Sequence, residues 1–445
     1  MQVKLFILFA IISSFLYIFA PMNYSWNYCV ICSIIYIINA VLGLYPILKK
    51  DPINFSLFFS LTLFISSYIF PIFVYPIDSS YSLFSFNYDQ TVISKCTSMV
   101  TLAHSMYWLG ISKAKTKYYK HFIIKDARID DRTINIIVIL VIFFFITILS
   151  LGGLNYYTDR YQDGIMSTNT LFQYFNLPFT TISILLACVL IYANKTLTYT
   201  KSFILLGVII VVILFTGSRT LPMFLLIPLV YVYKKRNNIS LFRLIIISLI
   251  LLFVFSSIGR IRNETITVDA LFSYKQNSSD IGYFDSMRDF IVCNRNLYAI
   301  YHYVNEDGVL YGKNFLASFL SIIPFAQNVV LNLFDIPYYQ LDSSTFCTYK
   351  ELGTNSALGL GTHVVGDVYL ATGIVGVIAL FYMLGYFISC IKNGAILRND
   401  KYMYVVYLYM LSYSIFLCRG SFFGAVKGIV WSAIILSLVN KKILK

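Results

Sequence analysis

Apolar residues recur from end to end of the chain in runs long enough to cross a membrane. A helix needs about 20 predominantly apolar residues to span a hydrocarbon core about 30 Å thick. Setting these runs against the clusters of lysine and arginine predicts about twelve spanning helices, and the sequence is therefore that of an all-α polytopic membrane protein. The predicted spans are 3–20, 28–47, 54–74, 91–111, 134–152, 170–192, 202–216, 220–233, 244–258, 364–389, 402–418 and 422–439.

The polar connections between these runs alternate in charge. Of the 34 lysines and arginines, 22 lie in the termini and in every second connection, which simple alternation puts on one side. An excess of positive charge marks the cytoplasmic side of a membrane protein. The span count and the charge distribution agree, so both termini are predicted to be cytoplasmic.

One segment on the opposite side, residues 259–363, is far longer than an ordinary connection, and such loops are usually functional. It divides the chain into an N-terminal transmembrane bundle of about nine spans (1–258), a large periplasmic loop with amphipathic helices (259–363) and about three C-terminal spans (364–445). Within the loop, 284–304 reads as an amphipathic helix and 315–334 as a re-entrant or interfacial one.

Composition supports a membrane protein and argues against a soluble protein and against nucleic-acid binding. Only 12% of residues are charged, against about 25% in soluble proteins. The net charge of +14 is explained by membrane topology, because nucleic-acid binding would need a basic face on a soluble domain. Cys29 and Cys32 form a CxxC inside a predicted span without a histidine, so they look structural, whereas Cys293 and Cys347 share the large loop and could pair in an oxidising compartment. The sequence predicts no metal site and no cofactor.

Two arginines stand in very short turns on the predicted exterior side. Arg219 separates spans of about 15 and 14 residues, which cover only about 20–23 Å each, and Arg419 repeats this arrangement before the last span. An arginine grips phosphate oxygens with a planar fork of donors, so the pair predicts a site for an anionic ligand. The alternative is that both arginines are anchors that reach the lipid head groups.

Further charged residues on the same side extend this prediction. Arg288, Arg295 and His302 recur every seven residues and would form one stripe on a helix. Arg160 is a weaker candidate, since its alternative is a solvated loop charge paired with a neighbouring aspartate.

His363 and Asp367 are four residues apart where the chain leaves the loop. On a helix they share a face, and such a pair can act as a general base or orient one. A hydrogen-bonding pair at a helix start is the alternative. Asp342 and Glu351 are further single carboxylates in the loop.

Four short stretches resemble the O-antigen polymerase (Wzy) family of oligosaccharide repeat-unit polymerases. They are TGSRT (216–220), MRDF (287–290), GTHVVGDVYLATGIVG (361–376) and CRGS (418–421), and the resemblance extends to the whole architecture of spans, termini and loop.

The resemblance implies a metal-independent glycosyltransferase of the membrane-embedded, polyprenyl-phosphate-using class in the bacterial inner membrane, with its active site facing the periplasm. Its substrate would be an undecaprenyl-diphosphate-linked oligosaccharide, and it would be surrounded by membrane lipid. A chain-length regulator and a flippase are the candidate protein partners, and nucleic acid is not a partner. Roles carried onto this chain are diphosphate binding by Arg219, Arg419 and Arg288, and deprotonation of the acceptor hydroxyl by His363, Asp367 or Glu351.

Two other functions compete with polymerisation. An O-antigen ligase uses the same donor with a different acceptor, and a histidine such as His363 would suit it. A flippase for lipid-linked oligosaccharide should carry charges through two related halves with short loops, whereas here the polar residues concentrate on one side.

Overall fold

The computed structural model describes residues 2–79, 90–114, 129–152, 170–216, 218–237, 243, 288–323, 326–354, 356, 359–397 and 400–443. Within these ranges every regular element is a helix, as predicted. They are α1 (Gln2–Ile18), α2 (Trp26–Leu48), α3 (Phe55–Ile69), α4 (Val92–Lys113), α5 (Asp131–Ser150), α6 (Thr170–Val189), α7 (Thr196–Phe215), α8 (Thr220–Asn237), α9 (Arg288–Ile291), α10 (Cys293–Asp307), α11 (Leu316–Leu320), α12 (Ala326–Phe334), α13 (Ser343–Leu352), α14 (Val364–Leu397), α15 (Lys401–Tyr413) and α16 (Val426–Ile443).

Six of the described helical segments are long and apolar enough to cross a membrane, and two shorter apolar helices lie at the ends of the chain. The chain is thus a polytopic helical membrane protein. The predicted span 244–258 lies outside the described residues, and the count of twelve stays a prediction. The six segments are Trp26–Leu48, Phe55–Val74, Asp131–Ser150, Tyr174–Tyr192, Thr196–Phe215 and Val364–Ile396.

The chain forms two compact units, each assembled from separated segments. Unit 1 comprises residues 1–122, 287–397 and 414–427, and unit 2 comprises 123–286, 398–413 and 428–445. The division predicted from the sequence at 258 and 363 stays a prediction, because the two units do not test it.

In unit 1 the helix ends gather into two groups. At one end, the turn before α2 meets the start of α4, where the Ser25 amide donates to the Ser94 hydroxyl at 3.0 Å. At the other, Lys392 near the end of α14 pairs with Asp51, which lies between α2 and α3, at 3.4 Å. Alternation of the first four helices, which the charge pattern predicts, produces this grouping.

The helices α4 and α14 pack with their backbones in contact. A Cβ atom on Gly385 would lie 1.9 Å from the Tyr107 carbonyl oxygen, and one on Gly110 would lie 2.1 Å from the Tyr382 carbonyl oxygen. No side chain fits at either position, so glycine is what permits this close crossing. The crossing fixes α14, and with it the candidate site at its start.

α14 is interrupted at Gly373, whose φ of 66° and ψ of −156° are not helical. Amides of the loop after α10 bind the carbonyls before the break: Leu310 donates to Leu370 at 2.8 Å and Gly312 donates to Ala371 at 3.0 Å. The stretch 374–397 is about 36 Å long and can cross a membrane alone. The helix segment 364–372 is therefore attached to the loop that precedes α14 rather than needed for the span.

Unit 2 contains α5 to α8, α15 and most of α16. Asp131 at the start of α5 accepts from the amide of Lys195 at 3.2 Å, and Arg236 at the end of α8 donates to the carbonyl of Ala193. Tyr231 and Tyr404 join α8 to α15 with a hydroxyl–hydroxyl distance of 3.1 Å. Connections predicted to share the cytoplasmic side thus meet at one end of unit 2.

Candidate functional site

A buried polar cluster in unit 1 surrounds the first turn of α14. Asp367 is 0% exposed, and its Oδ1 atom accepts from the Asn314 side-chain amide at 2.8 Å. Its Oδ2 atom accepts from the Phe422 backbone amide at 2.7 Å and from the Ser421 hydroxyl at 3.1 Å. One carboxylate therefore binds α14 to the large loop and to the turn before α16.

This turn carries Arg419, one of the two predicted phosphate-binding arginines. Arg419 ends a short 3-10 turn that begins at Leu417, and it is partly exposed. Two residues later, Ser421 contacts Asp367, while the Phe422 ring packs against Phe381 of α14 at 5.6 Å. The position of Arg419 is consequently set by hydrogen bonds to a buried carboxylate and by aromatic packing.

His363 immediately precedes α14 and is also 0% exposed. Its Nδ1 atom accepts from the Val365 amide at 3.2 Å, so the proton resides on Nε2, which lies 3.1 Å from the Ser67 hydroxyl of α3. Burial lowers the pKa of His363 to about 3, and the ring is neutral. His363 thus caps α14 and joins it to α3.

The structure places His363 and Asp367 one turn apart, as their spacing predicts, with the Asp367 amide bonded to the His363 carbonyl at 2.8 Å. Their side chains bind different partners, since the imidazole turns to Ser67 and the carboxylate to Asn314 and Ser421. This arrangement resembles the structural alternative of two hydrogen-bonding residues at a helix start. A catalytic role for either residue stays a prediction.

Arg295 lies inside unit 1 and is only 6% exposed. Its charge acts on Cys347 and Glu351, both of which belong to α13. Glu351 is partly exposed; burial raises the pKa of its carboxyl, while a hydrogen bond from Tyr303 and the charge of Arg295 oppose that rise. A carboxylate whose pKa is raised toward neutral, in reach of solvent and near a cation, suits a general base.

The three residues of the predicted cationic stripe lie on two helices in the structure. The expected single helix 284–304 is observed as α9 and α10, which are separated at Val292, so Arg288 and Arg295 do not share one helix. Arg295 is buried, whereas the His302 side chain is 35% exposed and lies 3.3 Å from Glu306. Arg295 and His302 therefore differ in exposure, while the expectation of one shared cationic stripe stays a prediction, because the Arg288 side chain lies outside the described part.

The remaining predicted residues are distributed over the chain. Arg219 directly precedes α8 in unit 2, where its carbonyl accepts from the Met223 amide at 3.2 Å, and its side chain is partly exposed. Arg288 is the first residue of α9, and its side chain lies outside the described part, as does the whole of Arg160. The joint action of Arg219 and Arg419 stays a prediction.

Several residues of the cluster have no counterpart in the sequence prediction. Asn314, Ser421 and the Phe422 amide bind Asp367 from positions 53, 54 and 55 residues away. Asp342, by contrast, is one of the loop carboxylates noted from the sequence; it caps α13, and burial raises the pKa of its carboxyl. Polar residues in the loop gave no periodic signal for these contacts, because tertiary packing alone brings them together.

Within the described ranges, the cysteines form no disulfide and the possible metal ligands form no cluster. No disulfide joins Cys293 to Cys347, both of which are buried, and the Cys347 thiol donates to the Asn296 carbonyl at 3.9 Å. The described residues contain no group of three or more histidine, cysteine, aspartate or glutamate side chains that could hold a metal ion.

Comparison with protein families gives one match that covers nearly the whole chain. The family model described as O-antigen polysaccharide polymerase Wzy matches residues 3–440. Comparison with the curated proteins and with the solved structures gives no match.

Proposed function

The chain belongs to the O-antigen polysaccharide polymerase Wzy family, and on that premise we propose that it polymerises undecaprenyl-diphosphate-linked oligosaccharide repeat units at the periplasmic face of the bacterial inner membrane. The growing chain is transferred from its lipid diphosphate to a new lipid-linked unit. The product is O-antigen or a related surface polysaccharide.

The observation that carries this proposal is the set of hydrogen bonds around Asp367. A buried carboxylate fixes the turn of Arg419 against Asn314 of the large loop, and in the same unit the charge of Arg295 acts on Glu351. Cationic and acidic side chains from distant parts of the sequence are thereby held on one unit. A transferase that separates a sugar from a diphosphate needs both kinds of group.

Arginines hold the diphosphate in this proposal. Guanidinium groups bind phosphate oxygens through pairs of hydrogen bonds and stay charged when partly desolvated, so they stabilise the negative charge that grows on the leaving group. This role replaces a metal ion in the reaction. The residues assigned to it are Arg219, Arg419, Arg288, Arg295 and Arg160.

Glu351 is our choice of general base. It takes the proton from an acceptor hydroxyl as that oxygen bonds to the anomeric carbon and the bond from that carbon to the diphosphate breaks, so that undecaprenyl diphosphate leaves. Attack from the opposite side inverts the anomeric configuration. Asp367 and His363 are buried and hydrogen-bonded, which favours a positioning role for both over a direct proton transfer.

A deletion strain tests the function in cells. Loss of long polysaccharide with retention of a single repeat unit on its final acceptor is the expected result, and the chain restores long polymer when it is supplied again. Loss of the single unit as well would indicate the competing ligase function. Accumulation of lipid-linked units on the cytoplasmic face would indicate the competing flippase function.

Substitution of Arg219 tests the diphosphate assignment. Arg219→Lys keeps the charge but loses the planar fork, so polymer yield should fall by about tenfold, and Arg219→Ala should reduce it further. Unchanged chain length and yield in Arg219→Ala would refute the assignment and favour a membrane anchor. The chain-length regulator and the flippase must be present in both strains, since they are the proposed partners.

A further inference from the structure

Lys95 lies near the start of α4, on the side of unit 1 opposite the Lys392–Asp51 pair. Its Nζ atom stands 4.2 Å from the centre of the Tyr17 ring and donates to the Tyr17 carbonyl oxygen. A lysine ammonium has three donors, and this carbonyl uses one of them. The geometry therefore holds the charge at the end of α1 with capacity for another acceptor.

An apolar groove runs between α1 and α4. Its volume is about 330 Å³, and its walls include Ile7, Ile11 and Phe15 of α1 and Met106 and Leu109 of α4. The volume lies within the range of small-molecule sites, and the walls are almost entirely hydrocarbon. A groove of this kind suits an alkyl or isoprenoid chain.

Lys95 and the groove-lining residue Met106 lie on the same face of α4. Eleven residues separate Lys95 from Met106, which is close to three full helical turns, so both side chains project in nearly the same direction. They are about 16 Å apart along the helix axis. The arrangement places a cation at one end of an apolar channel, as a lipid with an anionic head requires.

Tyrosines complete the polar end. The rings of Tyr301 and Tyr369 stack with their centres 5.2 Å apart, and both side chains interact electrostatically with Tyr17. Phenolic hydroxyls donate to phosphate oxygens, and tyrosines are enriched at the level of the lipid head groups. The polar end therefore offers both charge and neutral donors.

We propose that the groove between α1 and α4 binds a membrane lipid with a phosphate head group. Lys95 and the hydroxyl of Tyr17 bind the phosphate, and the apolar walls take one hydrocarbon chain. This site is separate from the Asp367 cluster and does not depend on the function proposed above. The occupant we infer is a glycerophospholipid of the surrounding bilayer, since its anionic phosphate matches the cation and its acyl chain matches the hydrocarbon walls.

Lipid binding to the purified full chain in detergent tests the proposal, with native mass spectrometry as the readout. The probes are undecaprenyl phosphate, phosphatidylglycerol, uncharged undecaprenol and inorganic phosphate. Lys95→Gln should weaken binding of the phosphate-headed lipid by about tenfold, since it removes a charge-assisted contact. Ile11→Trp should weaken it by filling the groove while leaving Lys95 in place.

Lys49→Gln is the matched control, because Lys49 lies at the same 4.2 Å from the Tyr45 ring but at the other end of α2. It should bind lipid as the unchanged protein does, and equal melting temperatures identify variants that are folded. Phosphatidylglycerol should bind at least as tightly as undecaprenyl phosphate, and clearly tighter binding of undecaprenyl phosphate would overturn the choice of a glycerophospholipid. Equal affinity of Lys95→Gln and the unchanged protein, or of undecaprenol and undecaprenyl phosphate, would overturn the proposal, as would inorganic phosphate binding as tightly as the lipids.

Discussion

Among the residues that the structure describes, unit 1 has two fully buried histidines with contrasting surroundings. His104 of α4 stacks on the Tyr36 ring at 3.7 Å, and its Nε2 atom accepts from the Trp108 indole at 2.9 Å. Its neighbour across the bundle is the hydroxyl of Ser60 at 3.1 Å. His363 is equally buried, but it stands one turn before Asp367, in the unit that also brings Arg295 to Glu351.

The comparison shows that burial of a histidine does not by itself indicate a catalytic role. Both imidazoles hold helices together: His104 links α4 to α2 and α3, and His363 links α14 to α3. The partners found for His104 are rings and a hydroxyl, whereas the cluster at α14 includes a carboxylate that joins α14 to two other segments. In our proposal the reaction therefore depends on charged residues, among them Glu351 and Arg295 of the large loop, and not on either buried histidine.

Substitution of Glu351 should have the largest effect. Glu351→Gln keeps the shape of the side chain but removes its capacity to take a proton, and general bases contribute about 10²–10⁴-fold to rate. Polymer synthesis by the purified protein should fall by that factor. Glu306→Gln is the control, since Glu306 is exposed and pairs with His302, and its rate should not change. A Glu351→Gln protein as active as this control would remove Glu351 from the mechanism.

Substitution of Asp367 should have the second-largest effect, and it should weaken substrate binding more than it slows the chemical step. Asp367→Ala releases the turn of Arg419, and losing charge-assisted hydrogen bonds of about 1.5–3 kcal/mol each predicts a loss of about tenfold to hundredfold in kcat/KM. KM for the lipid-linked unit should rise, and Asp367→Asn, which keeps an acceptor, should restore part of the loss. If Asp367 were the base, Asp367→Asn would be as inactive as Asp367→Ala, with KM unchanged.

The two histidines should differ in what their replacement changes. Asparagine is a favoured helix cap, so His363→Asn should keep the start of α14 and stay within about threefold of normal activity. His104→Asn should lower the melting temperature without changing the rate of the folded fraction, because it loses the stacking on Tyr36. Loss of all activity in a folded His363→Asn protein would return His363 to the role of general base.

The pH dependence should give the smallest effect near neutrality. Burial raises the pKa of Glu351, and the base must be deprotonated to act, so the rate should fall as pH drops through that raised pKa. Since the pKa is raised, the fall should begin at a higher pH than for an ordinary glutamate. A rate that stays flat from pH 7 down to about the ordinary glutamate pKa of 4.3 would contradict this assignment.

Much of the helical framework followed from the apolar runs, because a spanning helix must be apolar over its whole length. The pairing of His363 with Asp367 on one turn followed from helical spacing in the same way. The break at Gly373 did not, since it is accompanied by loop contacts such as the bond from the Leu310 amide to the Leu370 carbonyl at 2.8 Å.

The contacts inside the candidate site could not be predicted from the sequence pattern either. Arg295 looked like one of three exposed cations, but its 6% exposure follows from the packing of α10 against other segments of unit 1. The partners of Asp367 come from a loop and from a turn more than 50 residues away in sequence. Periodicity describes one helix at a time, so it gives no information about which segments meet.

The most direct test of the proposed function is polymerisation in a defined mixture. The purified chain is supplied with undecaprenyl-diphosphate-linked repeat units in the presence of a chelator such as EDTA, and the products are separated by length while released lipid diphosphate is counted. The account predicts a ladder of polymers, with one undecaprenyl diphosphate released for each unit added. Absence of a ladder from a folded protein, or a ladder that EDTA abolishes and divalent metal restores, would contradict it.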